Sequence, residues 1–249
     1  MPVMDEFKKE REELKQKSLK ERLSYYIYYY KWHALAVIAV IAIIISLISN
    51  IINRKDCAFY AVLLNTLDSL QSEEYVQSFA DYAGIDTNEY DVLFDTTMAI
   101  NGEGRDDISI TTYQKLAVYT AAGDLDILIA APEIVEIYAN DQIYYDLRDL
   151  LTSETASLCE PYFYYVDQSV VDAASEARYN GQEYEAVYPD PRHPEEMETP
   201  IPVGIYLDDC SKLKEYFYFG SEELVLGVYI NSKNAGTAVK FIEFIMQEP

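Results

Sequence analysis

The chain has 249 residues, half of them apolar, so it is large enough for one globular domain with an additional segment, and wholesale disorder is excluded. The formal net charge of -24 is unevenly spread, because residues 1–55 carry 10 basic and 6 acidic side chains whereas the rest carries 9 basic and 37 acidic ones. So acidic a region repels polyanions, which argues against nucleic acid as a partner and favours cations or a basic protein.

The first predicted element is a charged arm that leads into a long apolar helix. Residues 1–32 mix both signs of charge and predict a solvated helical arm, with a coiled-coil contact as the alternative. The next 19 residues, Ala34–Ile52, carry no charge and would cover about 28 Å as a helix, close to the hydrocarbon thickness of a bilayer. We therefore predict a transmembrane helix over residues 33–53, preceded by the aromatic cluster Tyr25–Trp32 at the headgroup boundary.

The orientation of this helix is predicted from the basic residues on its two sides. Eight Lys and Arg residues precede Ala34, and only Arg54 and Lys55 follow the apolar stretch closely. Cytoplasmic flanks carry the excess of basic residues in membrane proteins. We therefore expect a single-pass protein of the cell membrane, with the arm in the cytoplasm and residues 56–249 forming a domain outside the cell.

Residues 56–150 alternate between short apolar runs and amphipathic stretches, which predicts strand–helix repeats. Strands are expected at Cys57–Leu64, Tyr90–Phe94 and Asp126–Ala130, and helices at about Ser69–Ala83, at Ile108–Ala122 and from Pro132. Gly84 and Gly123 are placed to end the first two helices, and proline is favoured in a first helical turn. This order predicts parallel strands joined by right-handed crossovers.

The rest of the outer region has weaker periodicity. Aromatic and acidic residues mix between residues 151 and 223, and Tyr188–Pro202 contains five of the nine prolines, which predicts a surface loop. Strands are expected at Val203–Leu207 and Leu224–Ile230, and a last helix from about Asn234. One face of that helix is expected to hold Ala235, Val239, Ile242 and Met246. The expected fold class is α/β, with a parallel or mixed sheet covered by helices on both faces.

Two stretches of the outer region resemble bacterial extracellular solute-binding proteins. The first is KLAVYTAAGDLDILIAA at Lys115–Ala131, with YDLRDL following at Tyr145–Leu150. The second is VYINSKN at Val228–Asn234, which leads into the apolar stretch Ala238–Met246. In that family a helix leads into a short strand beginning with Asp, and a late strand is followed by Ser-Lys-Asn and a helix with a Phe-Ile-x-Phe core. With YYKWH before its apolar helix, the whole chain is also similar to membrane proteins of anaerobic Gram-positive bacteria.

This resemblance implies one lobe, or a reduced two-lobe form, of a solute-binding protein on a membrane anchor. It implies a non-catalytic binding domain, linked to transport or sensing of a small solute or peptide, with a membrane protein as a further partner. Family members are usually two-lobed and secreted or lipid-anchored, and their ligand-contacting residues vary too much to be carried over to this chain. The alternative is a structural protein that scaffolds a membrane complex through its acidic domain and its arm.

The outer region is poor in residues that suggest catalysis, and we expect neither an enzyme nor a cofactor nor a metal site. Its one histidine, His193, lies in the Pro-rich stretch, and no hydrolase or phosphate-binding motif occurs. Asp124 and Asp126 have the Asp-x-Asp spacing of some metal-dependent glycosyltransferases, but their place between a helix and a buried strand favours a structural role. Three buried thiols are expected at Cys57, Cys159 and Cys210.

The candidate ligand-binding residues follow from the expected parallel strands. Open α/β sheets bind ligands beyond the carboxyl ends of their strands. Asn65, Thr96 and Glu133 follow those ends, and we expect them to contact the ligand. The helix from Pro132 brings its positive end to the same edge, so a zwitterionic amino acid or peptide is the favoured ligand. An open pocket there would favour solute binding, and a filled edge would favour the scaffold.

Overall fold

The computed structural model describes residues 18–52, 55–102 and 104–247, and the chain divides into two compact units between Arg54 and Lys55. Most of the predicted arm, residues 1–17, lies outside the described residues, as does the junction at residues 53–54.

The N-terminal unit contains one helix, α1 (Leu19–Ile52), which begins in the predicted arm and continues through the apolar stretch. Its segment Lys31–Ser49 has a mean hydropathy of 2.5, and none of it is buried within the protein. Side chains such as Ile38 and Ile45 are more than half exposed. One helix of the chain is therefore long and apolar enough to span a membrane.

The second unit contains eight strands. They are β1 (Asp56–Leu63), β2 (Thr66–Asp68), β3 (Tyr90–Asp95), β4 (Ile127–Ala130), β5 (Phe163–Asp167), β6 (Pro200–Tyr206), β7 (Phe217–Phe219) and β8 (Val225–Val228). Six of them form a mixed sheet in the order β3-β1-β4-β8-β6-β5, and β2 and β7 form a short antiparallel ribbon. β1 pairs in parallel with both β3 and β4, as predicted, whereas β8 is antiparallel to β4 and β6, and β5 is antiparallel to β6.

Helices cover both faces of this sheet. The helices whose residues join the first core are α2 (Ser72–Ala83), α5 (Leu147–Leu150), α6 (Ser153–Cys159), α8 (Ser211–Tyr216) and α9 (Ala235–Met246). Those of the second core are α3 (Asp107–Ala122), α4 (Pro132–Asn140) and α7 (Gln168–Tyr179). Short 3₁₀ turns lie at Glu160–Tyr162 and Pro194–Glu196. The α/β class with helices on both faces is confirmed.

Strand β1 shows why its sequence is a continuous apolar run. Phe59, Ala61 and Leu63 belong to the first core, and Tyr60, Val62 and Leu64 belong to the second. Successive side chains of a strand point to opposite faces, so a strand covered on both sides has no position for a polar residue.

The glycine-based helix ends are confirmed. Gly84 ends α2 with φ of 70°, and Gly123 ends α3 with φ of 69°, both in the left-handed region. Helix α4 begins with Pro132 as expected. Asp106, just before α3, accepts hydrogen bonds from the N–H groups of Ile108 and Ser109, which fixes the start of that helix.

Two predictions in the C-terminal half need correction. The buried face of α9 is formed by Ala238, Phe241, Ile242, Phe244 and Ile245. The expected Ala235, Val239 and Met246 are only half-buried, because the aromatic rings face the Phe-rich first core and turn the helix toward them. Strand β6 begins at Pro200, inside the predicted loop, and a register shift in its pairing with β5 accommodates the prolines.

Candidate functional site

The carboxyl ends of β1, β3 and β4 lie at one edge of the sheet, because these strands are parallel neighbours. The chain passes from β1 to β3 and then back over β1 to β4, so the crossovers diverge between β1 and β4. This is the type of position at which α/β sheets bind ligands. Asn65, Thr96 and Glu133 all follow strands that end at this edge.

Asn65 is held in the left-handed backbone region, with φ of 53°. Its Nδ2 donates to the carbonyl of Ile100 at 2.9 Å, and its Oδ1 accepts from the N–H of Ile100 at 2.8 Å. Its backbone N–H donates to the carbonyl of Met98, and its own carbonyl accepts from the N–H of Gly220. Asn65 thus folds the segment after β3 over the end of β1, which leaves only the spare capacity of its amide for a ligand.

Thr96 and Glu133 differ in how far they are engaged. The Thr96 hydroxyl donates to Oδ2 of Asp68, in strand β2, at 2.9 Å. Glu133 is exposed in the first turn of α4. The structure therefore brings the strands of these residues to one edge, and their contact with a ligand stays a prediction.

The edge above β1 is filled by the protein itself. Met98 and Ile100 are buried there, 1% and 6% exposed, and Thr66 in the β2–β7 ribbon is 3% exposed. Of five clefts on the described surface of this unit, none is lined by Asn65, Thr96 or Glu133.

The largest of these clefts lies between the C-terminal halves of α3 and α4 and has a volume of about 550 Å³. We call it the α3–α4 cleft. Ala117 and Ala121 of α3 and Ile137 of α4 form its sides, and Ile143 and Ile230 close one end. Because β8 ends beside the start of β4, the cleft lies at the amino edge of the parallel strands, opposite the predicted site.

Three buried hydroxyl groups lie next to this cleft. They belong to Thr120, which lines it, and to Tyr144 and Tyr229, which are 4% and 0% exposed. Tyr229 lies close enough to the other two to interact electrostatically, yet none of the three hydroxyls has a partner in hydrogen-bond geometry. Tyr138, another lining residue, has its ring 6.4 Å from that of Tyr144 and 6.3 Å from that of Tyr229. Burial raises the pKa of Tyr229, so it stays neutral.

Sequence reasoning missed this cleft, although α3 carried a signal for it. Ile110 and Val118 are 44% and 65% exposed on that helix, and its only charged residues are Asp107 and Lys115. A helix that is apolar around its circumference usually has its outer face covered.

A buried carboxylate joins the two stretches that resemble solute-binding proteins. Asp126 is fully buried, and its Oδ2 accepts from the N–H of Tyr60 at 2.8 Å and from Nδ2 of Asn234 at 3.3 Å. Its Oδ1 accepts from the hydroxyl of Ser232 at 2.5 Å. Burial raises the pKa of Asp126. We call this arrangement the Asp126 clasp; it gives Asp126 a structural position, as predicted.

Gly123 and Lys233 extend the Asp126 clasp at the surface. The N–H of Lys233 donates to the carbonyl of Gly123, and its Nζ donates to Oδ1 of Asp124 at 2.8 Å. A Cβ at position 123 would lie 2.5 Å from the carbonyl oxygen of Asn231. Glycine is therefore required here both for its backbone conformation and for this close approach.

The remaining polar candidates have structural partners. His193 pairs through Nδ1 with Oε1 of Glu195 at 2.9 Å, and both side chains are more than half exposed. Arg192 binds Asp208 and Glu223 at 3.0 Å each and stacks on the ring of Tyr206, 3.5 Å from its centroid. Within the described residues no three His, Cys, Asp or Glu side chains are grouped as metal ligands.

The three thiols are free. Cys159 and Cys210 are buried, as predicted, and burial raises their pKa to about 12 and about 11. Cys57 is half-buried and donates to the carbonyl of Phe59 at 3.2 Å.

We compared the chain with models of known protein families, with curated proteins and with solved structures, and found no match in any of the three.

Proposed function

We propose that the chain is a membrane-tethered binding protein of solute-binding type, with its acidic domain outside the cell and without catalytic activity. The Asp126 clasp is the observation that carries this proposal. Its residues Asp126 and Ser232 stand 106 positions apart, one in each of the two resembling stretches, and they form a hydrogen bond at 2.5 Å. A resemblance arising by chance in two separate stretches would not require them to contact each other in the fold.

The position of α4 supports a ligand at the carboxyl edge beside the divergence of β1 and β4. Helix α4 begins directly after β4, and no side chain caps its first N–H groups. These groups suit a carboxylate, and the exposed Glu133 suits an amine. An amino acid or a peptide terminus provides both.

The membrane tether supports the address. Helix α1 is long and apolar enough to span a bilayer, and eight basic residues on its N-terminal side against two on the other favour a cytoplasmic N-terminus. Protease added to intact cells should then digest residues beyond 55 and spare the first thirty. Protection of the acidic domain would reverse the orientation.

Ligand binding is tested by thermal unfolding of the full chain in detergent against amino acids, peptides, sugars and divalent cations. A ligand at about 100 times its Kd adds about 2.7 kcal/mol of stability. Glu133→Gln should weaken an amine-bearing ligand by about 1–3 kcal/mol. Glu154→Gln is the matched control, since Glu154 is equally an exposed residue in the first turn of a helix, α6. Equal affinities for the two variants would remove Glu133 from the site.

A second candidate function is a scaffold for a membrane complex, and the filled edge above β1 favours it. Met98 and Ile100 occupy the space that a solute would need there. The scaffold predicts stoichiometric co-purification with an integral membrane protein, lost when residues 56–249 are removed, and no response in the ligand screen. A ligand response that depends on Glu133 would favour solute binding instead.

A further inference from the structure

We propose that the α3–α4 cleft binds an uncharged small molecule with an apolar body and one hydrogen-bonding head. This site is separate from the carboxyl-edge site, since it lies at the end of α4 and Glu133 lies at its start. Either site can therefore exist without the other.

The size and lining of the cleft fit an apolar body. Its volume of about 550 Å³ lies within the usual range for ligand sites, roughly 300–1,000 Å³. Ala117 and Ala121 leave space along α3, and Ile137 and Ile230, 50% and 47% exposed, offer apolar surface that is otherwise in contact with water. Removing that surface from water is the main favourable contribution to binding.

The charge of the cleft selects an uncharged molecule. The surrounding region carries 37 acidic residues, yet Asp141 is the only carboxylate that lines the cleft. Its Oδ1 already receives Nη1 of Arg178 at 3.1 Å. A charged ligand would lose its hydration here without gaining a counter-charge, which is unfavourable.

The buried hydroxyls supply the reason for a hydrogen-bonding head. Buried hydroxyl groups in proteins are nearly always hydrogen-bonded, but those of Thr120, Tyr144 and Tyr229 have no well-directed partner. Thr120 both lines the cleft and contributes one of these hydroxyls. Rotation about its Cα–Cβ bond presents the hydroxyl to the cleft, so the head of a bound molecule would hydrogen-bond to Thr120.

The test uses three probes of equal size and different charge: benzyl alcohol, benzoate and benzylamine. Thermal unfolding of the full chain in detergent, over a series of probe concentrations, gives an apparent Kd for each. We expect benzyl alcohol to stabilise the acidic domain and the two charged probes to bind at least tenfold more weakly. Absence of stabilisation by benzyl alcohol, or equal stabilisation by a charged probe, would overturn the proposal.

Two variants of α3 locate the binding. Ala117→Trp fills the cleft and should abolish the effect of benzyl alcohol. Ala122→Trp places the same side chain at an exposed position that does not line the cleft, and should leave the effect unchanged. Equal responses of these variants would place binding elsewhere, including in the detergent.

Thr120→Val tests the head contact and also serves if Ala117→Trp fails to fold. Loss of one neutral hydrogen bond should weaken benzyl alcohol about three- to tenfold and leave toluene, which has no hydroxyl, unchanged. Equal losses for both probes, or no loss for benzyl alcohol, would contradict the assigned role of Thr120. Glu133→Gln should change none of these affinities, which separates this result from the test of the carboxyl edge.

Discussion

At the scale of single residues, Asp126 connects parts of the chain that the sequence separates widely. It accepts from the backbone of β1 and from two side chains that follow β8. Asp126→Ala leaves these buried donors without an acceptor, at about 1–3 kcal/mol for each buried group left unsatisfied. We expect the free energy of unfolding of the acidic domain to fall by at least about 2 kcal/mol. Urea unfolding followed by tyrosine near-ultraviolet circular dichroism measures it.

Asp124→Ala is the matched control for Asp126. Asp124 stands two residues away, is 54% exposed and makes an ion pair with Lys233 at 2.8 Å. Exposed ion pairs contribute about 0–1 kcal/mol, so its removal should be nearly neutral. Equal effects of the two substitutions would mean that burial of Asp126 does not matter to stability.

Gly123 offers a second comparison between residues of similar backbone and different surroundings. Gly123 and Gly84 have φ of 69° and 70°, but a Cβ at position 84 would meet nothing within 4 Å, whereas one at position 123 would collide with the carbonyl of Asn231. Alanine at either position costs about 1–2 kcal/mol for the left-handed backbone. We expect Gly123→Ala to cost at least about 1 kcal/mol more than Gly84→Ala, from the displacement of that carbonyl. Urea unfolding of both variants checks this, and equal losses would contradict the close approach.

At the scale of elements, the strands and helices between residues 56 and 140 could be predicted because local signals agree there. Apolar runs bounded by Gly84, Gly123 and Pro132 gave the order of elements and nearly all their bounds. β2 and β7, of three residues each, have no periodicity of their own and exist because Asn65 and Gly220 bring them together. In β5 and α7 aromatic, acidic and small residues mix, so neither the two-residue nor the 3.6-residue period stood out.

The Pro-rich stretch is a loop with a defined attachment. The N–H of Tyr165 in β5 donates to the carbonyl of Pro191 at 3.1 Å, which covers part of an edge strand. Arg192, the next residue, holds Asp208 and Glu223 and stacks on Tyr206. The attachment thus depends on a planar guanidinium that binds two carboxylates and an aromatic ring together.

Arg192→Lys keeps the charge but loses the planar stacking and the fork of donors. We expect chymotrypsin to cut the stretch around Tyr184 and Tyr188 several times faster in this variant, because the loop leaves β5 more often. Arg178→Lys is the control, since Arg178 is 72% exposed and makes one ion pair, with Asp141. Unchanged cleavage in Arg192→Lys would show that the loop is held by the backbone alone.

At the scale of the whole molecule, the acidic domain should fold without the membrane helix. Its two cores are made entirely of residues from position 57 onward. We expect residues 55–249 to form a soluble monomer with both helix and strand signals, because its excess of acidic residues opposes self-association once the apolar faces are buried. Light scattering and far-ultraviolet circular dichroism at moderate salt check this. Persistent aggregation would indicate an apolar surface that needs a partner.

The candidate sites were predictable only where they depend on neighbours in sequence. The carboxyl edge followed from three consecutive strand–helix units, and Asn65, Thr96 and Glu133 were named from it. The α3–α4 cleft depends on β8 pairing beside β4, which brings Ile230 next to Thr120 and Tyr138. Nothing in the local sequence specifies that pairing, since an apolar run such as that of β8 is compatible with any central position in a sheet.

The central place of β8 also governs when the sheet can be completed during synthesis. β8 is the last strand to leave the ribosome, yet it lies between β4 and β6. Until residues 225–228 arrive, the parallel strands and the β5–β6 pair remain two separate halves, each with an unpaired edge. A nascent chain that stalls shortly before these residues therefore carries two open edges and is prone to pair with other chains, whereas one that stalls shortly after them can close its sheet.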